Sequence, residues 1–251
     1  MNLLFTNDDG IHTYGITALA KEAARRGHRA IIVAPSEQRS ANSHYITLHD
    51  PVLIQPLQDA DFESYAVDGT PADCARIALL NLFPKDIDMV ISGINDGWNA
   101  GRAILYSGTC GAAREAVICG KKAIASSINF HADHAMIDYA AAFTIDMAER
   151  LHRSEIQTKD AFLNINVPAL PAAQIKEPKM AFISAVTPKD HYVEFISPRK
   201  QRYFFIGNDY AMEQGTPGSD VQLLNEGHIT LSFLSIAEDA EILEPRFLER
   251  A

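Results

Sequence analysis

Cysteine is rare in this 251-residue chain. Cys74, Cys110 and Cys119 are too few, and odd in number, for a disulfide framework, so a reducing compartment is expected. Positive charge is also in short supply: 22 Lys and Arg stand against 32 Asp and Glu, a formal net charge of -10. Long nucleic acids need a broad basic face that neutralises their phosphates, so neither duplex nor single strand is an expected partner. A small anion is still compatible with this balance where a metal and a few arginines supply local charge. No apolar run approaches membrane-spanning length and no leader-like segment precedes the first apolar stretch, so a cytoplasmic location without a membrane partner is expected. The chain has no G-x-G-x-x-G, which leaves a nicotinamide cofactor unsupported. Internal repeats and low-complexity segments are missing as well.

What is present begins almost at once. The 47% hydrophobic content is ample for a core, and the length suits one large α/β domain or a domain with a sizeable appendage. Leu3, Leu4, Phe5 and Thr6 form a short apolar run that breaks into Asn7, Asp8, Asp9 and Gly10. This pattern predicts a buried strand and its turn. In open α/β sheets ligands collect beyond the carboxyl ends of strands. Two adjacent carboxylates there repel, and a divalent cation relieves that repulsion.

Ile16, Leu19, Ala20, Ala23 and Ala24 recur at helical spacing across residues 15–26, and Gly27 closes the run. A second strand follows at residues 30–34, stopped by Pro35. Strand, helix and strand, with uniformly apolar strands, indicate a parallel sheet with a right-handed crossover. The loop 36–44 then leaves the same sheet edge as Asp8 and Asp9, carrying Ser40 and Arg39. Residues 45–54 and 65–67 read as further strands. Thr70, Pro71 and Asp73 mark a helix start as N-cap, first helical residue and capping-box partner, and the helix is expected to run through Leu82 to Pro84.

A third buried strand at residues 89–92 is expected to end in a tight loop, 93–101, with Gly93, Gly97 and Gly101. Residues 106–115 then enter a helix whose first turns are small residues. Exposed backbone N–H groups and the positive end of the helix dipole, flanked by Ser107 and Thr109, suit a phosphate; ordinary capping by either hydroxyl is the competing explanation. Three strand ends thus converge on one rim carrying Asp8, Asp9, Ser40 and Asn95. These are all oxygen donors, which select Mg²⁺ or Mn²⁺ over Zn²⁺. His131 and His134, three residues apart, have no partner motif and read as a surface pair at a helix entry.

Several of these motifs, in this order, resemble the SurE family, the stationary-phase survival nucleotidases. They are Asn7-Asp8-Asp9-Gly10-Ile11, the loop from Ala34-Pro35 to Ser40, Gly69-Thr70-Pro71-Ala72-Asp73-Cys74, and Ser92-Gly93-Ile94-Asn95 with Gly97 and Asn99. Tyr106-Ser107-Gly108-Thr109, Gly111-Ala112-Ala113-Arg114-Glu115, Leu163-Asn164-Ile165-Asn166-Val167-Pro168, and Asp220-Val221 with Glu226-Gly227-His228-Ile229-Thr230 continue the likeness. The resemblance implies a metal-dependent phosphatase acting on nucleoside 5′- and 3′-monophosphates. It also implies a SurE-like α/β fold, with a Rossmann-like, mostly parallel sheet core and a C-terminal extension bearing a β-hairpin arm. One divalent cation per subunit, Mg²⁺ or Mn²⁺, would sit on Asp8, Asp9, Ser40 and Asn95, with Asp8 and Asp9 catalytic. Asn99, Ser107, Gly108 and Thr109 would contact the phosphate. Ala41-Asn42-Ser43-His44-Tyr45 departs from the glycine and smaller residues usual in the family, and Asp96 and Trp98 occupy variable positions; substrate preference is what these touch.

Residues 1–130 are expected to form the metal- and phosphate-binding core and 131–251 the C-terminal helix, strands and oligomerisation arm, as one structural unit. Met136, Ile137, Ala140, Phe143, Met147 and Leu151 predict a long amphipathic helix at 134–151, and 161–167 a further strand. Tyr203, Phe204, Phe205 and Ile206 are too apolar to be left in water. Residues 192–206 either fold onto their own core or, as the resemblance implies, pack on a neighbour in a homodimer or homotetramer. Tyr45, Trp98 and Tyr106 are the aromatics near the rim available to stack on a base, so base selectivity should be loose. A haloacid-dehalogenase-type phosphatase needs an aspartate two residues after the first, where this chain has Gly10. A non-catalytic nucleotide-binding module would use the same cradle without needing the paired carboxylates.

Overall fold

The computed structural model describes residues 1–58, 61–154, 160–187, 189–208 and 214–236. The first strand, β1 (Asn2–Thr6), is buried from Leu3 onward. Gly10, at φ +102°, turns the chain toward α1 (Tyr14–Arg25), and β2 (Arg29–Pro35) returns parallel to β1. Three further strands follow the same logic: β4 (Glu63–Val67), β5 (Met89–Asp96) and β6 (Lys122–Ile128), with β3 (Ile54–Pro56) antiparallel at the edge. Helices α2 (Pro71–Ile77) and α3 (Gly108–Ile118) precede β5 and β6. After α4 (His134–Arg153) come β7 (Ala161–Val167), β8 (Lys176–Met180), the hairpin β9 (Asp190–Ile196) and β10 (Arg202–Asn208), α5 (Asp220–Asn225) and β11 (His228–Ser235).

The described strands form a nine-stranded sheet in the order β3-β4-β2-β1-β5-β6-β7-β11-β8, and the hairpin stands apart. The sheet therefore continues across residue 130, and strands from both halves share one core. From β4 to β7 all pairings are parallel, as continuous apolar strands require. Leu3, Phe5, Ile32 and Ile91 face α1 and α4, whereas Leu4, Ile31, Val33 and Val90 face α2 and α3. The order reverses between β1, which leads outward to β2, and β5, which leads the other way to β6. This switch point is where such sheets hold ligands, and Asp8 and Asp9 lie directly past β1.

Local expectations fare unevenly. The Thr70 capping box forms, with Thr70 Oγ1 accepting from Asp73 N at 3.1 Å and Thr70 N donating to Asp73 Oδ2 at 3.0 Å. Regular α-helix stops at Ile77, however, and a π-helical turn, Ala78–Leu82, carries the chain to Phe83. Residues 45–53 are not strand, and only Ile54–Pro56 pairs. The polar groups of that stretch are drawn to α2 instead: Thr47 N and Oγ1 both donate to Asp73, and Tyr45 O accepts from Thr70. Strand β5 runs on through Asn95 and Asp96, with an irregular register between Ser92 and Asn95, where a loop was expected. Among the described residues no helix is long and apolar enough to cross a membrane.

The hairpin is exposed on both sides. Tyr192, Phe195, Ile196, Tyr203, Phe204, Phe205 and Ile206 are all exposed, so it does not fold onto the core of its own chain. His131 and His134 are both exposed at the entry to α4, and the His134 ring stacks on Tyr14 at 3.8 Å.

Candidate active site

Asn7 builds the turn that presents the two aspartates. Its amide nitrogen donates to Gly10 O and Thr13 Oγ1, and its amide oxygen accepts from Gly10 N. Asp8 is thereby turned inward, 4% exposed, against the first turn of α3. Thr109 Oγ1 donates to Asp8 Oδ1 at 2.6 Å. A Cβ on Gly108 would lie 3.0 Å from Asp8 Cβ and 3.2 Å from Oδ2, so the small residue lets the carboxylate approach the helix end.

Burial pushes the Asp8 carboxyl up, opposed by the Thr109 hydroxyl and by the backbone N–H groups of Asp8, Thr109 and Gly108. Of the groups expected to cradle phosphate, the Thr109 hydroxyl and the backbone N–H groups of Gly108 and Thr109 are in this structure directed at Asp8. Ser107 is the N-cap of α3, and its Oγ accepts from Cys110 N at 3.0 Å while its own O–H remains a donor. Ser107 thus caps this helix, and Thr109 at its first turn bonds Asp8.

Asp9 is half-buried and accepts from Asp96 N at 3.2 Å. Burial and the neighbouring Asp8 charge push its carboxyl up to about 7. Asn95, at the end of β5, donates its amide nitrogen to Gly97 O at 2.7 Å, which leaves its oxygen as an acceptor. Ser40 lies in the exposed loop, next in the chain to Arg39, whose N–H donates to Asp8 O at 2.7 Å. A carboxylate pair destabilised by burial and mutual repulsion, with an amide oxygen at the end of β5 and a hydroxyl in the loop after β2, suits a hard divalent cation.

Asn99 is buried and belongs to a network that sequence reading did not assign. Its N–H donates to Asn166 Oδ1 at 2.8 Å, its carbonyl accepts from Asn164 and Asn166, and its side chain donates to Ser127 Oγ at 2.9 Å. Asp220 has a comparable role a little further along the loop, accepting from Gly101 N, Ser184 N and Val221 N. Asparagines on successive alternate positions of an apolar strand, 164 and 166, were the available signal. Trp98 is not free to stack: its Nε1 donates to Val167 O, and its ring packs against a cluster of Ala100, Val221 and Leu224. Tyr45 and Tyr106 are exposed.

A family model described as "Survival protein SurE" matches residues 3–190. A protein named 5′-nucleotidase SurE from Desulfovibrio desulfuricans is 37% identical over 236 residues, covering 92% of this chain and 91% of that one. A second of the same name, from Geotalea uraniireducens, is 37% identical over 236 residues, covering 94% and 93%. The crystal structure of the SurE protein from Aquifex aeolicus superposes with a TM-score of 0.82 at 30% identity, across 99% of this chain and 100% of that chain. The aspartate turn, the helix end that receives it and the asparagine clamp all lie on a chain that belongs to the SurE family.

Proposed function

We propose that this chain is a cytoplasmic 5′-nucleotidase that also accepts 3′-monophosphates, hydrolysing the phosphoric monoester of a nucleotide with one Mg²⁺ or Mn²⁺ per subunit. The shared name of the Desulfovibrio and Geotalea relatives supports the nucleotidase activity. The observation that carries the chemistry is the Asp8–Asp9 pair at the sheet's switch point, with Asp8 bonded to Thr109 at the N-terminus of α3.

Asp8, Asp9, Ser40 and Asn95 would hold the cation through oxygen. When bound, it supplies Lewis acidity that draws charge from the phosphoryl oxygens. Asp8 and Asp9 are the catalytic pair, their carboxylates accepting hydrogen bonds from the attacking water and so orienting it. Ser107 offers its hydroxyl proton to the phosphate, and Gly108 and Thr109 bring the positive helix end beside it. Asn99, held rigid by Asn164 and Asn166, supplies a further amide donor. Among the described residues, Tyr45 and Tyr106 are exposed rings available to stack on a base, so base selectivity should be loose. The substrate is a small nucleotide and not a polymer, and the exposed hairpin supports a homodimer or homotetramer.

The test is phosphate release from several 5′- and 3′-monophosphates, simple sugar phosphates and a DNA duplex, with added metal and after chelation. Monophosphates should be preferred, and activity should vanish on chelation and in Asp8→Asn. Full activity after exhaustive chelation overturns the metal role. A preference for sugar phosphates moves the chain to another phosphatase class, and nucleotide binding without phosphate release makes it a binding module.

A further inference from the structure

Glu115 is a carboxylate buried on α3, its side chain 3% exposed, and it joins three separate elements. Its Oε2 meets His44 Nε2 at 2.8 Å, from the serine loop, and its Oε1 accepts from Arg76 Nη1 at 2.5 Å, from α2. Burial works to push this carboxyl up, but His44 and Arg76 outweigh it and hold it below its ordinary value. A buried ion pair is no cheap source of stability, since an apolar side chain of like volume often does as well. Its use here is to be sought in what it holds.

What it holds is the loop 36–44. Ala41 and Ser43 adopt left-handed backbone, at φ 59° and 52°, a conformation in which the Cβ of an L-residue crowds its own carbonyl. Local preference therefore does not maintain this loop, and tertiary contacts must. Arg39 N bonds Asp8 O on one side of Ser40; on the other, Ser43 N donates to Tyr106 O at 2.9 Å and Ser43 Oγ to Leu105 O at 2.7 Å. Among the described residues, the side chain of Ser40 itself makes one hydrogen bond, accepting from Gln38 Nε2 at 3.0 Å. Among the described residues, His44 joins the loop to the buried Glu115 carboxyl on α3.

We propose that Glu115, by gripping His44 while paired with Arg76, is a positioning residue that holds Ser40 at the Asp8–Asp9 rim. This rests on the assignment of Ser40 as a cation ligand. Glu115 touches neither substrate nor cation; it acts by fixing the loop geometry from which Ser40 reaches them.

The test uses the full chain carrying Glu115→Gln, which keeps the shape, or His44→Ala, which leaves Glu115 paired with Arg76. Two readouts are taken: the rate of tryptic cutting after Arg39, located by mass spectrometry, and Mn²⁺ affinity by titration calorimetry without substrate. Both variants should be cut several-fold faster at Arg39 and bind Mn²⁺ roughly tenfold to a hundredfold more weakly, the range seen when groups supporting metal ligands are removed. At saturating Mn²⁺, kcat should stay near wild type, a split that general loosening of the fold would not give. Wild-type cutting and wild-type Mn²⁺ affinity in both variants overturn the proposal. Faster cutting with unchanged Mn²⁺ affinity, where Ser40→Ala does weaken Mn²⁺, also overturns it. Wild-type Mn²⁺ affinity in Ser40→Ala overturns instead the ligand assignment, and the grip on the loop is then decided by the cutting rate.

Discussion

Gly111→Ala is the substitution whose sign best separates local from tertiary control. Gly111 lies inside α3, where alanine is intrinsically favoured over glycine by about 1 kcal/mol. Helix propensity alone therefore makes the variant more stable. The structure gives the opposite sign, because a Cβ there would stand 2.2 Å from Ser43 O and 3.0 Å from Ser43 C, both backbone atoms. The serine loop must lift off α3, which strains or breaks Ser43 N to Tyr106 O, Ser43 Oγ to Leu105 O and His44 to Glu115. Two neutral hydrogen bonds contribute about 0.5–1.5 kcal/mol each and one to a charged group about 1.5–3. Set against the propensity gain, the net destabilisation is about 1.5–5 kcal/mol. At roughly 2–4 °C per kcal/mol for a chain of this size, the thermal midpoint should fall by about 3–20 °C. Phosphate release at limiting metal should fall with it, since Ser40 moves with the loop. Scanning calorimetry decides the matter: a midpoint equal to or above wild type refutes the seating of the loop on α3.

Asn166→Ala should destabilise by about 1–3 kcal/mol in urea unfolding, because it leaves the Asn99 N–H buried without its partner. Asn164→Ala, which removes one of two donors to Asn99 O, should cost less; equal effects would contradict the clamp. Arg25 holds the Glu22 carboxyl down to about 2, with burial opposing and Arg26 adding to the effect. A lowered folded pKa contributes stability that is present above the ordinary carboxylate value and is lost as pH falls toward about 2. The midpoint gap between wild type and Glu22→Gln should thus close over that acid range, and a gap independent of pH would refute it. Light scattering at micromolar concentration should show a dimer or tetramer, reduced in mass by Phe204→Glu with Phe205→Glu; a wild-type monomer removes the role of the arm.

The local pieces of this protein were readable from residue order. Leu3 to Phe5 made a buried strand because three large apolar side chains in a row are costly to leave in water, and Thr70, Pro71 and Asp73 capped a helix through contacts only three residues apart. The parallel sheet followed from apolar strands alternating with helices, and with it the position of Asp8 and Asp9 just past β1 at the switch point. Residues 45–53 failed as a strand because Asp73, some 26 positions on, competed for Thr47. Trp98 was lost as a stacking ring because Val167 and Val221 claimed it from far along the chain. The donors at the start of α3 turned to Asp8, and Glu115 was drawn to His44 and Arg76, by approaches that no periodicity encodes. What the sequence determined by itself was whatever depends on neighbours within a few residues or on hydrophobic period. Which polar group answers which across the fold was decided only by tertiary structure, because burial makes each polar atom seek the nearest partner in space and chain order does not record that distance.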